Sequence, residues 1–249
     1  MALSGKEPSW FISGVVKPSL EENAPSWFIE GVVRPNKPEG AVDEELEKDL
    51  VERQEPINRA RSDSDFQSTM LKKIQSHEAP RFGYDSWYGR GTSRGPVAPP
   101  KPPTQMTINE VLEWQNTHNP PGPETTAVGA YQFVDQPNAR TLSGVAKEMG
   151  LKGDELFTPE LQDRMAIHLL KRRGLDDFLA GKLPVERFAN NVAKEWASLP
   201  VLTDTKRGRI PIRRGQSYYA NDGINGTTVK DLEEYEEIFS LADINGDIS

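Results

Sequence analysis

The sequence predicts a mainly α fold (α+β), a helical domain with a small β element, preceded by an extended N-terminal arm. Three observations lead there. Between residues 62 and 200 apolar side chains recur at helical spacing in successive segments with orthodox start and stop signals. Only one short apolar run, residues 127–133 (Ala-Val-Gly-Ala-Tyr-Gln-Phe), reads as a brief strand or tight turn. The chain is lean for one compact globule, with 35% hydrophobic residues, 20 Gly, 20 Pro and a mean hydropathy of -0.65. One real core with polar extensions is therefore expected: an arm at 1–61, a helical domain at 62–220 and a tail at 221–249 that includes a short helix.

The arm contains an internal repeat. Residues 8–18 (Pro-Ser-Trp-Phe-Ile-Ser-Gly-Val-Val-Lys-Pro) return as residues 25–35 (Pro-Ser-Trp-Phe-Ile-Glu-Gly-Val-Val-Arg-Pro). A unit this short cannot bury its own aromatic cluster. Two tethered copies suit bivalent docking on another protein through Trp10, Phe11, Ile12 and Trp27, Phe28, Ile29. The alternative is that both copies pack on the chain's own domain. Residues 39–61 are charge-dense without a core-facing stripe and read as a linker.

The domain opens at residues 62–65 (Ser-Asp-Ser-Asp), good N-cap material. Phe66, Met70 and Ile74 follow on one helix face, and Pro80 stops the helix at Glu78 or just after. A carboxylate thus ends an apolar stripe at a helix C-terminus, where the macrodipole disfavours negative charge. Residues 82–89 (Phe-Gly-Tyr-Asp-Ser-Trp-Tyr-Gly) form an aromatic loop. Thr107 and Glu110 make a capping box for a second helix carrying Ile108, Val111, Leu112 and Gln115, broken at residues 119–123. Further helices are expected at 141–149, at 159–173 with Thr158 as N-cap and Pro159 at its first position, and at 184–199. The segment from 201 is turn-rich, with a short helix near 229–241. Residues 243–247 (Asp-Ile-Asn-Gly-Asp) lack the far acidic residue of a calcium loop, so a solvated turn is the simpler account.

Composition excludes several function classes. A formal charge of -8 and a pI near 5.1 argue against a protein-wide grip on nucleic acid. The absence of cysteine removes disulfides, thiol catalysis and thiolate zinc sites. His77, His118 and His168 have no metal-ligand spacing, and no cofactor motif is present. No apolar run suits membrane insertion, and residues 1–7 lack the apolar region of a signal peptide, so a substrate outside a cytoplasm requires another delivery route.

The order of these segments resembles a known family. A helix ending in Glu78 is followed by the aromatic loop and by residues 106–112 (Met-Thr-Ile-Asn-Glu-Val-Leu). Residues 129–133 (Gly-Ala-Tyr-Gln-Phe), 157–163 (Phe-Thr-Pro-Glu-Leu-Gln-Asp) and 195–200 (Glu-Trp-Ala-Ser-Leu-Pro) complete the series. Over roughly residues 66–220 this is similar to phage peptidoglycan-cleaving enzymes of the lysozyme superfamily, especially relatives of the bacteriophage lambda lysozyme, a lytic transglycosylase. The resemblance implies a lysozyme-like domain with Glu78 as the catalytic acid, no cofactor, and peptidoglycan glycan strands as substrate. It implies that Tyr131 and Gln132 line the cleft, the amide binding an acetamido or hydroxyl group and the phenol offering a stacking face. The alternative for this pair is a core strand with Gln132 tied to backbone. Tyr84, Trp87, Tyr218 and Tyr219 are either sugar platforms or packed lids. Trp196 continues the stripe of its helix and reads as core.

Glycosidic cleavage needs a proton for the leaving oxygen, hence an acid still protonated near neutral pH. An apolar helix face and a helix C-terminus both raise a carboxyl pKa, and Glu78 has both. A hydrolase needs a second carboxylate, for which Asp85, Glu124 and Asp135 are nearest, none in a marked pattern. A transglycosylase needs only one, because the substrate's own C6 hydroxyl attacks. The expected setting is a tailed-phage virion acting at the host wall, with docking through the arm. The alternatives are an endolysin released from the host cytoplasm, and an inactive structural virion protein.

Overall fold

The computed structural model describes residues 28–29, 32–33, 44–91, 97–117, 126–136, 139–220, 226–227, 229–230 and 232–242. The chain divides into two compact units, residues 1–52 and 53–249. In the first, β1 (Phe28–Ile29) pairs antiparallel with β2 (Val32–Val33), which makes a minimal hairpin from the second repeat copy. The first copy, with Trp10, Phe11 and Ile12, lies outside the described residues, as does Trp27.

The longest element is α1 (Glu44–Glu78), 35 residues. It ends where Pro80 requires, but it does not begin at residues 62–65. It starts at Glu44, so much of the expected linker is helical. Glu, Lys, Leu, Gln and Arg dominate that stretch and are good helix formers, which outweighs the roughly 3 kcal/mol penalty of an interior proline at Pro56. Ser62 does not cap; its hydroxyl donates to the carbonyl of Leu241 at 2.5 Å. A tertiary partner has taken the group that the sequence offered as a cap.

Seven helices and three small hairpins occur among the described residues. The remaining helices are α2 (Ile108–Thr117), α3 (Thr141–Glu148), α4 (Pro159–Arg172), α5 (Leu175–Leu179), α6 (Val185–Val192) and α7 (Leu232–Glu237). The capping box at α2 is reciprocal: the Thr107 amide donates to Glu110 Oε2 at 2.7 Å and the Glu110 amide to Thr107 Oγ1 at 3.2 Å. Thr158 caps α4 by accepting from the Leu161 amide at 3.3 Å. The expected helix at 184–199 stops at Val192. Beyond it the chain turns, Asn190 Oδ1 accepts from the Leu202 amide, and the Trp196 indole leaves the helical row to donate to the Tyr131 carbonyl at 3.1 Å.

The core gathers around Phe66, Met70 and Ile74 of α1, all fully buried. Phe178 and Phe188 stack at 4.6 Å, with Phe66 5.2 Å from Phe178 and Phe239 6.0 Å from Phe66. Tyr235, Ile238 and Phe239, from the segment expected as a tail, belong to this core. The sheet is minimal. Hairpins β3 (Asp135–Gln136) with β4 (Ala139–Arg140) and β5 (Thr205–Arg207) with β6 (Ile210–Ile212) are antiparallel pairs. Isolated bridges Trp87–Val128 and Val128–Phe133 join the aromatic loop to the 127–133 run. The fold is thus helix-rich with a small β element, as the sequence predicts. Residues 243–247 lie outside the described residues.

Candidate functional site

The site is assembled from four segments, the first two nearly adjacent in sequence, with residues 196–200 joined to the first. The first is the C-terminal end of α1, which places Glu78 half-buried after the fully buried Ile74. Burial pushes the Glu78 carboxyl above its ordinary pKa. Hydrogen bonds from Ser198, side chain first and backbone second, pull the other way without prevailing. The Ser198 hydroxyl donates to Glu78 Oε1 at 2.5 Å, so residues 196–200 reach the end of α1 across 120 positions of sequence.

The second and third segments are the aromatic loop and the 127–133 run, tied edge to edge. The Tyr88 amide donates to the Ala127 carbonyl and the Gly129 amide to the Ser86 carbonyl, each at 2.8 Å. Val128 and Phe133 exchange both backbone bonds, closing a tight loop around Gly129. Gly129 has φ +79, and a Cβ there would sit 2.4 Å from Gln162 Oε1. No other residue type fits that position without displacing the fourth segment.

That segment is α4. Gln162 is fully buried and spends its amide on three backbone groups. Its Oε1 accepts from the Ala130 amide at 2.9 Å, and its Nε2 donates to the carbonyls of Tyr84 at 3.1 Å and Phe157 at 2.9 Å. Its neighbour Asp163 accepts two phenols on one oxygen, Tyr131 at 2.5 Å and Tyr84 at 2.9 Å. Burial, then the Asp163 carboxylate, push both tyrosine pKa values up, so both phenols stay protonated donors.

These placements revise the roles expected of the sequence-predicted residues. Tyr131 is only 2% exposed and lies edge-on to Tyr84 and Phe133, so it has no ring face for a sugar. Its contribution is structural, through Asp163 and through the carbonyl that receives Trp196. Gln132 is half-buried with φ 51 and donates through Nε2 to the Gly129 carbonyl at 2.8 Å. Tyr84 and Trp87 are half-buried. Arg90 lies 4.5 Å over the Trp87 ring and 4.2 Å over Phe82. Tyr88, 38% exposed, is the most accessible aromatic of the loop. Trp196 is buried, as its stripe implies.

The acids considered as partners for Glu78 have other duties. Asp85 Oδ1 accepts the Thr104 amide at 2.9 Å, and buried Asp135 accepts Ser143 through its hydroxyl at 2.5 Å and its amide at 3.2 Å. Glu124 lies outside the described residues. Among the described residues no group of three or more His, Asp or Glu side chains could hold a metal ion. His77, next to Glu78, has its pKa lowered by burial and by Lys73. The sequence pattern does not single out Ser198, Gln162 or Asp163, although all three fall within the motif segments 157–163 and 195–200. Ser198 is the polar residue of an otherwise apolar stretch, Trp-Ala-Ser-Leu-Pro, whereas Gln162 and Asp163 sit in a polar helix start that gives no such signal.

A family model described as Endolysin matches residues 113–225. The chain is similar to phage endolysins. The match takes in the 127–133 run, the α4 motif and residues 196–200, and it leaves Glu78 outside its span. The endolysin of Escherichia phage P2 is 39% identical over 82 residues, which cover 32% of this chain and 43% of that relative. The chain therefore spans less than half the length of the curated relative it matches. No solved structure matches the chain. The resemblance to phage murein-degrading enzymes, read from the motif order, is borne out.

Proposed function

We propose that this chain cleaves the β-1,4 glycosidic bond of peptidoglycan as a lytic transglycosylase, with Glu78 as its single acid. The observation that carries the reading is the Glu78 carboxyl, kept protonated to higher pH by burial and bridged by Ser198 to a motif inside the endolysin match. Glu78 gives its proton to the leaving glycosidic oxygen. The C6 hydroxyl of the same muramoyl unit attacks the anomeric carbon as the bond breaks. The carboxylate then takes the proton of that hydroxyl, and the product ends in a 1,6-anhydro ring. The employment of Asp85 and Asp135 elsewhere supports a one-carboxylate mechanism over one that activates water. Tyr84, Trp87 and Gln132 line the glycan path in this reading, and Tyr131 fixes its wall.

Zymography of the wild type and Glu78→Gln tests the enzyme reading. Clearing by the wild type and its loss in the variant are expected; no clearing by the wild type leaves the structural-protein alternative. Product mass then separates the chemistries, an anhydro end being lighter by one water than a hydrolysed one.

Two delivery routes follow. In a virion-associated enzyme the Pro-Ser-Trp-Phe-Ile repeats dock on other particle proteins through Trp10, Phe11, Ile12 and Trp27, Phe28, Ile29. Release from the host cytoplasm at lysis is the route favoured by the Endolysin description of the matching family. Because α1 begins at Glu44, the informative deletion is residues 1–43, which leaves that helix whole. Loss of particle incorporation with activity retained supports docking, and absence of the full-length chain from purified particles rejects it.

A further inference from the structure

A second polar cleft of about 430 Å³ lies away from the Glu78 side chain, within the usual size range of ligand sites. One wall is α6 and the turn after it, with Glu186, Arg187, Asn191 and Lys194. The other is the chain entering β5, with Thr203 and Thr205. The walls are braced. Asn190, also on the lining, accepts the Leu202 amide at 2.8 Å and donates to Thr203 Oγ1 at 2.9 Å. Asn191 donates to the Arg173 carbonyl at 3.2 Å and accepts from Lys194 Nζ at 2.9 Å.

The charges in this cleft do not balance. Arg173 is neutralised by Glu195 at 2.7 Å. Arg187 and Lys194 have no ion-pair partner among the described residues, and Glu186 is the one acid on the lining. Lys194 Nζ sits 5.6 Å over the Tyr218 ring and uses one of its three donors on Asn191. Burial, then the charges of Arg173 and Arg187, lower the Lys194 pKa, so the site holds its ammonium at a cost that an arriving anion would relieve. Two arginines of the basic stretch at 207–214 differ: Arg213 is paired with Asp204 and Arg214 with Glu236.

Lys194 is four residues before Ser198, so their Cα atoms are at most roughly 14 Å apart along the chain. The peptide stems of a glycan strand held at Glu78 carry carboxylates of their own. We propose that the cleft between α6 and β5 is a carboxylate subsite, in which Lys194 and Arg187 hold an acidic group of the peptidoglycan stem peptide. This rests on the peptidoglycan reading and names the part of that substrate recognised outside the bond-cleaving centre.

The test is a binding titration of the full chain, read by NMR shifts of α6 and by calorimetry, with muramoyl-L-Ala-D-Glu and its neutral diamide, in which both glutamyl carboxyls are amidated. The acid should shift Asn191 and Lys194 and bind about five- to tenfold tighter than the amide, the discrimination expected of a charge-assisted pair. Lys194→Met should abolish that preference, and Lys194→Arg should keep it, which separates loss of charge from loss of fold. Equal binding of acid and amide, shifts confined to other surfaces, or equal displacement by inorganic phosphate would overturn the assignment. Because binding is read without turnover, an absence of murein clearing with the acid preference intact rejects the enzyme reading alone.

Discussion

Removing the Ser198 hydroxyl tests whether Glu78 behaves as a buried proton donor. Opposing influences act on its carboxyl: burial disfavours the charged form, while the 2.5 Å bond from Ser198 Oγ and a further bond from the Ser198 backbone favour it. Ser198→Ala deletes the side-chain bond and leaves the burial. Hydrogen bonds to ionised groups are worth about 1.5–3 kcal/mol, and about 1.4 kcal/mol corresponds to one pKa unit. Glu78 is half-buried, so water recovers part of the loss, and the alkaline limb of the activity profile should rise by roughly one pH unit. The acid form then persists to higher pH. The assay is the rate of murein turbidity loss from pH 4 to 9, with circular dichroism to confirm the fold. An alkaline limb that stays in place while the variant remains folded refutes the assignment, and an acid shift refutes the sign of the argument.

Other outcomes follow from the same geometry. A carboxyl whose folded pKa lies above its unfolded value favours folding below the unfolded pKa, and that advantage is lost as pH rises through the folded one. Glu78→Gln should therefore raise Tm at pH 8 while leaving it unchanged at pH 3.5, with murein clearing reduced by about two to four orders of magnitude. Gly129→Ala places a Cβ 2.4 Å from Gln162 Oε1 at φ +79, so denaturant unfolding should show a loss of about 2–5 kcal/mol. A loss under about 0.5 kcal/mol would mean that the Gln162 contact yields freely. Gln162→Leu leaves the Ala130 amide and the Tyr84 and Phe157 carbonyls without their partner. At about 1–3 kcal/mol per buried group, it should cost at least as much as Gly129→Ala, with faster hydrogen exchange at Ala130.

What was legible in the sequence was what local chemistry decides. The stripe of Phe66, Met70 and Ile74, the stop at Glu78, the capping box at Thr107 and the Thr158 cap depend on residues within one or two turns, and all are found in place. What failed depends on partners distant in sequence. Ser62 had the chemistry of a cap, yet Leu241 claims its hydroxyl. The helical row towards Trp196 was continuous in pattern, but the indole found the Tyr131 carbonyl and the helix ended at Val192. Tyr131 and Gln132 stood out as polar residues in an apolar run, which marked the run as special without saying which way they faced. Asp163 decides that for Tyr131 by accepting its phenol, and nothing in residues 127–133 announces an acceptor thirty-two positions away.

The proposed proton donor and the family match occupy different stretches of chain, Glu78 before residue 113 and the match from 113 on. That separation has a physical reading. The donor needs little of its own sequence: a helix end, an apolar face, and one hydroxyl supplied from elsewhere. The assembly around residues 127–133 needs a glycine that admits no Cβ, a glutamine serving three backbone groups and an aspartate serving two phenols. Such many-partner residues tolerate few substitutions, because each change leaves several buried polar groups unsatisfied at once. A glutamate at a helix end has one geometric requirement, and the helix leading to it can vary as long as its buried face stays apolar. Recognisable pattern therefore concentrates in the braces, while the acid depends on Ser198 at 2.5 Å to tie it to them. The residue whose loss should most cleanly separate fold from chemistry is accordingly Ser198, whose hydroxyl bonds the acid while its backbone keeps a second bond to it.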